Sequence, residues 1–141
     1  NLDNRYFQNY VYEPRLVIID DMSLGELRLK PGMDMIINSP YVEFVQGLFQ
    51  GKSNQIEKEY GNFDFVWFDC GGPQEYKAFL EEYWSLCCGY IFFHFTYSDG
   101  APNSAMDTIM TKAANEPFKI DIVEPHKTRQ GSITIVKKQL V

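Results

Sequence analysis

With 141 residues, 45% of them hydrophobic, the chain is long enough for one domain with a sizeable core and too short for two ordinary ones. A net charge of -6 and a pI near 4.8 argue against a dominant phosphate-binding surface, since nucleic-acid affinity rests on clustered Lys and Arg; small or neutral partners are expected, and nucleic acid is not. The three cysteines, Cys70, Cys87 and Cys88, fit no CxxC spacing, which points away from a disulfide framework or a zinc site and toward reduced thiols in the cytoplasm. No apolar run approaches the roughly 20 residues of a membrane span, and no charged segment leads into an apolar one as in a signal peptide.

The segment from Asn1 to Pro14 spaces Tyr6, Phe7, Tyr10, Val11 and Tyr12 so that aromatic residues share one side of a short helix, and it reads as a packing arm. Arg15 to Asp20 is a buried-type strand that ends in an acid, with Asp21 directly behind. An acid in that place either opens a turn or accepts hydrogen bonds from a ribose, because a carboxylate can take both hydroxyls of adjacent carbons. Gly25, Pro31, Gly32 and Pro40 then restrict any helix to a short one near Gly32 to Asn38. Tyr41 to Phe49 alternates and is rich in aromatic and β-branched residues, a further strand with Gln46 and Gly47 at its exit. Lys52 to Tyr60 is polar and compatible with a surface helix.

The chain is organised around Phe63 to Gly72, an almost continuous apolar run that stops at Asp69, Cys70 and two glycines. Such a run is expected of a strand buried on both faces, as in parallel sheets covered by helices. Ligands in open α/β sheets bind beyond the carboxyl ends of the strands, so Asp69 stands where chemistry is kept. The alternative is that Asp69 only caps the following helix. Pro73 suits a first helical position, and Tyr76, Phe79, Leu80, Tyr83, Trp84 and Cys87 follow at helical spacing as a core-facing stripe. Gly89 is expected to make the turn into Tyr90 to Thr96, another buried-type strand with His94 near its far end. Asp99, Gly100 and Pro102 form a turn, and Met106, Ile109, Met110 and Ala113 mark a second helix. Phe118 to Glu124 and Ser132 to Lys138 close the chain as an antiparallel pair, joined by a loop in which His126 is expected to be solvated. Alternating strands and helices that end in a hairpin define α/β with a mixed edge.

In this succession the chain resembles the later part of a class I S-adenosylmethionine-dependent methyltransferase of the small-molecule O-methyltransferase-like branch. The resemblance is carried by Leu16 to Asp20, Tyr41 to Gly47, Phe63 to Asp69, the helix from Tyr76 to Cys87, Gly89 to His94 and the terminal pair. It implies a Rossmann-like, doubly wound, mostly parallel sheet with a C-terminal antiparallel hairpin, formed by residues 1–141 as one domain. It also implies S-adenosylmethionine as cofactor, with Asp20, or Asp21 in its place, on the ribose. Gln46, Gly47 and Leu48 would lie near the adenine; family members often carry an acid where Leu48 stands. Asp69 would meet the methionine portion and the acceptor, with Cys70 beside it, and His94 and Tyr97 would face the same opening.

The family's first strand and glycine-rich turn should precede Arg15, yet Asn1 to Pro14 contains no glycine. The chain is therefore expected either to lack a preceding segment or to be a degenerate member that keeps the fold as a non-catalytic interaction domain. The metal-dependent branch carries an Asp-Asn pair where His94, Phe95 and Thr96 stand here, so no metal is expected. The expected activity is methyl transfer to a small-molecule acceptor, a hydroxyl, which needs alignment and removal of a proton. Asp69 or His94 is the base or orienting group, Asp69 by its place and His94 because histidine titrates in the physiological range. Cys70 has no histidine near it in sequence and reads as a structural thiol rather than a nucleophile. A receiver-like or flavodoxin-like domain is a weaker alternative suggested by the Asp20-Asp21 pair. The acceptor is not identified by the sequence, and homo-oligomer formation is left open.

Overall fold

The computed structural model describes residues 15–23, 32, 34–98, 100–114, 116–126 and 132–138; the aromatic arm read in residues 1–14 lies outside them. The chain divides into two compact units, Asn1–Phe49 and Gln50–Val141. In the first, β1 (Leu16–Asp20) and β2 (Val42–Gln46) pair in parallel, with Leu16 opposite Val42 and Asp20 opposite Gln46. Parallel neighbours need a crossover connection; residues 34–37 are helical within it. The Gly47 N–H donates to the Asp20 carbonyl at 2.9 Å, so the pairing continues to the point where both strands stop.

The second unit opens with α1 (Ser53–Tyr60), which buries Ile56. Then follow β3 (Phe63–Phe68), α2 (Pro73–Tyr83) and a 3-10 turn (Trp84–Leu86). β4 (Cys87–His94), the short strands β5 (Tyr97–Ser98) and β6 (Ala101–Pro102), and α3 (Ser104–Ala113) come next. β7 (Phe118–Val123) and β8 (Ile133–Lys138) complete it. The main sheet has the order β3-β4-β8-β7. β3 and β4 are parallel, while β8 runs antiparallel to both β4 and β7, so the unit is mixed α/β with the expected terminal hairpin.

One face of this sheet carries the core. Phe68, Ile91, Phe93 and Val136 are buried, as are Tyr76, Phe79, Leu80 and Tyr83 of α2 and Met106, Ile109 and Ala113 of α3. Phe79 lies over Phe68, ring centroids 4.2 Å apart, with Phe93 edge-on at 5.9 Å. The helical spacing of the apolar residues in α2 is thus the docking stripe that the sequence implied.

Two expectations are corrected. β3 is not buried on both faces, because Phe65 is 52% and Trp67 47% exposed. Side chains alternate along a strand, so Val66 and Phe68 turn toward the helices while Phe65 and Trp67 turn away and lie against Phe92, at centroid distances of 4.6 and 6.2 Å. Nor does Gly89 make a turn: β4 has already begun at Cys87. The register passes from Phe63 opposite Cys87 to Phe65 opposite Tyr90, a bulge at Cys88 and Gly89. A Cβ at position 89 would lie 2.2 Å from the Asp64 carbonyl oxygen, so only glycine lets the strands approach there.

Trp84 closes the end of the core. Its indole Nε1–H donates to Glu116 Oε2 at 2.7 Å, and Lys138 donates from Nζ to the Trp84 carbonyl at 2.8 Å while lying 4.9 Å above the ring centroid. Among the described residues no helix is long and apolar enough to cross a membrane. Trp84→Ala should destabilise the unit by about 3–5 kcal/mol, because a 3% exposed ring is removed and Glu116 loses its donor. Urea unfolding followed by circular dichroism checks the value, and a loss near zero would mean that the ring is not core.

Candidate active site

β3 and β4 run in parallel, so their carboxyl ends lie at the same edge of the sheet, where α/β folds keep their ligands. The last paired residues are Phe68 and Phe93, and the next along each strand are Asp69 and His94. His94 Nδ1 lies 3.0 Å from Asp69 Oδ2. The separation is that of an ion pair when the imidazole is protonated. The His94 side chain is 15% exposed and that of Asp69 37%, leaving the pair open on one side. The rings of Phe95 and Trp67 have centroids 3.9 and 6.0 Å from the imidazole.

Capping of α2 falls to other residues than Asp69. The N-cap is Gly72, and the Glu75 carboxylate reaches back to accept the Gly72 N–H at 2.8 Å. Gly71, at a φ of 69°, folds the loop under that carboxylate; a Cβ there would lie 2.3 Å from Glu75 Cγ. Asp69 is thereby released from the helix and faces His94.

Three residues that the sequence left in the background fix the surroundings. The Tyr76 hydroxyl, on the first turn of α2, donates to the His94 carbonyl. Asn103 caps α3 by accepting the Ala105 N–H at 2.9 Å, donates from its side chain to the Phe95 carbonyl, and donates its own N–H to the Thr96 carbonyl at 3.0 Å. It so holds the left-handed kink at Phe95, whose φ is 53°. Thr96, fully buried, joins its hydroxyl to those of Ser132 at 3.1 Å and Thr134 at 2.6 Å, tying the kink to β8. A polar N-cap residue directly before the Met106-Ile109 stripe was the signal for Asn103. Nothing in the helical spacing separates Tyr76 from its purely apolar neighbours.

The other expected site residues fall on several elements. Tyr97 is in β5 beyond the kink, and Cys70 is exposed one residue after Asp69. Cys87 is a buried thiol, raised by burial first, and its Sγ–H donates to the Tyr90 carbonyl at 3.3 Å. Within the Asn1–Phe49 unit, Asp20 and Asp21 are exposed at the end of β1. Asp20 Oδ1 accepts the Met22 N–H at 2.6 Å, and Asp21 Oδ1 accepts the Ser23 N–H at 2.9 Å. That backbone bond is the first cause holding the Asp21 carboxyl below its ordinary range. Gln46 ends β2, Gly47 follows at a φ of 128°, and Leu48 is 61% exposed. Among the described residues no three of His, Cys, Asp and Glu are grouped to hold a metal ion.

No family model and no curated protein matches the sequence. Solved structures do match. An O-methyltransferase from Bacillus cereus in complex with SAH aligns with a TM-score of 0.59 at 23% identity, over 88% of this chain and 63% of its own. A protein assigned provisionally as an rRNA methylase from Clostridium thermocellum aligns with 0.62 at 12% identity, over 99% and 81%. An rRNA methylase from Streptococcus thermophilus aligns with 0.57 at 11% identity, over 93% and 90%. The class I methyltransferase fold read from the succession of strands and helices is therefore shown, and this chain spans less than two thirds of the O-methyltransferase it matches. Two of these neighbours carry an rRNA description, so the expected exclusion of nucleic acid finds no support in the fold.

Burial lifts both Tyr76 and Tyr83 above the ordinary phenol value of 10.0, with Asp69 and Cys70 adding to it for Tyr76 and Glu82 for Tyr83, which reaches about 12. The folded state thus binds these phenolic protons more tightly than the unfolded chain. The associated stability is intact below pH 10 and is lost as pH rises toward 12. Unfolding free energies measured from pH 9 to about 12 should fall along this range in the unsubstituted protein and fall less steeply in Tyr83→Phe; equal slopes would refute the assignment.

Proposed function

We propose that this chain, residues 1–141 taken as one methyltransferase-like domain, transfers a methyl group from S-adenosylmethionine to a hydroxyl of a small-molecule acceptor. The observation that carries the reading is the 3.0 Å approach of His94 and Asp69 at the carboxyl ends of two parallel strands, in a fold shared with methyltransferases. His94 is the base. An ionised carboxylate only accepts hydrogen bonds, so Asp69 favours the proton on the Nδ1 that faces it and leaves Nε2 to take the acceptor's proton. Asp69 orients the imidazole and balances the positive charge that develops on it. Phe95 and Trp67 flank the imidazole with apolar surface, and Cys70 and Tyr97 contribute to acceptor contacts.

The residues expected to hold the cofactor fit it chemically. Asp20 engages the backbone through Oδ1, and among the described residues Oδ2 has no partner, so one carboxylate oxygen is available to a ribose hydroxyl. Asp21 supplies a second acid beside it. Gln46, Gly47 and Leu48 offer an amide, backbone groups and an exposed apolar side chain, the kinds of group that suit an adenine ring. When bound, the cofactor supplies the electrophilic methyl group; the residues of this chain align the acceptor and move its proton. The acceptor is small and neutral by the charge argument, the site of action is the cytoplasm, and homo-oligomer formation is compatible with the reading.

Isothermal titration with S-adenosylmethionine and S-adenosylhomocysteine tests this directly. Binding is expected, with Asp20→Ala weakening it at least roughly tenfold, the loss of a charge-assisted hydrogen bond, while the unfolding transition stays in place. Absence of binding to this chain and to a version extended upstream would favour the non-catalytic domain instead. Once an acceptor is found, His94→Gln should lower kcat by about 10²–10⁴, the usual share of a general base, and leave cofactor affinity nearly unchanged. If the active acceptor proves to be RNA rather than a small molecule, the substrate class is overturned and the base assignment stands.

A further inference from the structure

We propose that Tyr76 is a positioning residue for His94: its phenol fixes the backbone at the end of β4 and thereby the placement of the imidazole against Asp69. This rests on the reading of Asp69 and His94 as a working pair. The peptide that joins His94 to Phe95 has its N–H turned toward β8, where it donates to the Ser132 carbonyl at 3.1 Å. Since the two ends of a peptide group point in opposite directions, the His94 carbonyl points the other way, toward β3. β3 has no rung to offer it, because its pairing with β4 ends at Phe68 and Phe93. A carbonyl left bare at a partly buried strand end is costly, and the Tyr76 hydroxyl meets it.

The donor is well suited to the task. Tyr76 is 3% exposed and its ring is wedged between Phe68, centroid distance 4.9 Å, and Phe93, at 6.0 Å, so the hydroxyl has little freedom to leave. Burial, then the charges of Asp69 and Cys70, raise the phenol well above its ordinary range, and it remains a donor whatever the state of the pair. The same residue thus links the first turn of α2, which follows the Asp69 loop, to the strand end that bears His94. Movement of one side of the pair relative to the other must break this bond or carry Tyr76 along.

Tyr76→Phe keeps the ring and removes only the donor. The test is the proton distribution on the imidazole, read by long-range ¹H–¹⁵N correlation, with exposed His126, the only other histidine, as internal reference. In the unsubstituted protein His94 should hold its proton mainly on Nδ1. In Tyr76→Phe the ratio of the Nδ1–H to the Nε2–H form should fall roughly fivefold, the effect of one ordinary hydrogen bond, with His126 unmoved. An unchanged ratio in a folded Tyr76→Phe overturns the proposal. Asp69→Asn separates the two levels: if it leaves the ratio unchanged, the Asp69–His94 pair itself fails, whereas a change there but none in Tyr76→Phe removes Tyr76 alone. Should Tyr76→Phe not fold, the deuterium isotope shift of the His94 carbonyl carbon on exchange of the phenolic proton decides in the unsubstituted protein. A resolved shift supports the link, and its absence overturns it.

Discussion

The arrangement depends on one constraint, the parallel pairing of β3 and β4. Parallel strands place their carboxyl ends together, whereas a hairpin would have put the end of one beside the start of the other. Only in the parallel case do the residues just past Phe68 and Phe93 become neighbours. The helical crossover that parallel pairing requires is α2, and α2 also supplies the aromatic face that buries Phe68 and Phe93. Core and candidate site are thus two products of a single connection.

The loop between β3 and α2 shows how the two roles are kept apart. An acid at a strand end followed by a helix would ordinarily be drawn to the helix's unsatisfied N–H groups. Here Glu75 takes that place from inside the helix, and Gly71 gives the loop room to pass beneath it. Asp69 is left to an imidazole. On the other strand, Asn103 and the buried hydroxyls of Thr96, Ser132 and Thr134 do comparable work, bending the chain away after His94 and fastening the bend to α3 and β8.

Much of this was legible in the residues. The apolar runs ending at Asp20 and Asp69, the helical spacing from Tyr76 to Tyr83 and the alternation of the last two strands each point to the element that forms, because burial pattern is a local property of the chain; the helix expected to reach Cys87 stops at Tyr83, with Trp84 in the 3-10 turn and Cys87 opening β4. What depended on neighbours was not legible. The run from Phe63 to Phe68 reads as buried on both faces, yet Phe65 and Trp67 find Phe92 rather than a covering helix among the described residues. Tyr76 sits in the stripe like any aromatic residue, and its hydroxyl acquires a partner only through the sheet. Asp69 and His94 were each visible as candidates, but their approach is a matter of strand register, which no single segment encodes.

That register has its origin at the opposite end of the strands. Continued without interruption from Phe63 opposite Cys87, the pairing would bring Asp69 opposite Phe93, a core residue. The extra residue at Cys88 and Gly89 advances β4 by one position, and Asp69 then meets His94. Gly89 and His94 are five positions apart, about 16 Å along an extended strand. The absence of a side chain at one distant glycine therefore decides whether an acid faces a phenyl ring or an imidazole, and the chemistry open to this edge of the sheet is selected by a steric allowance at the other.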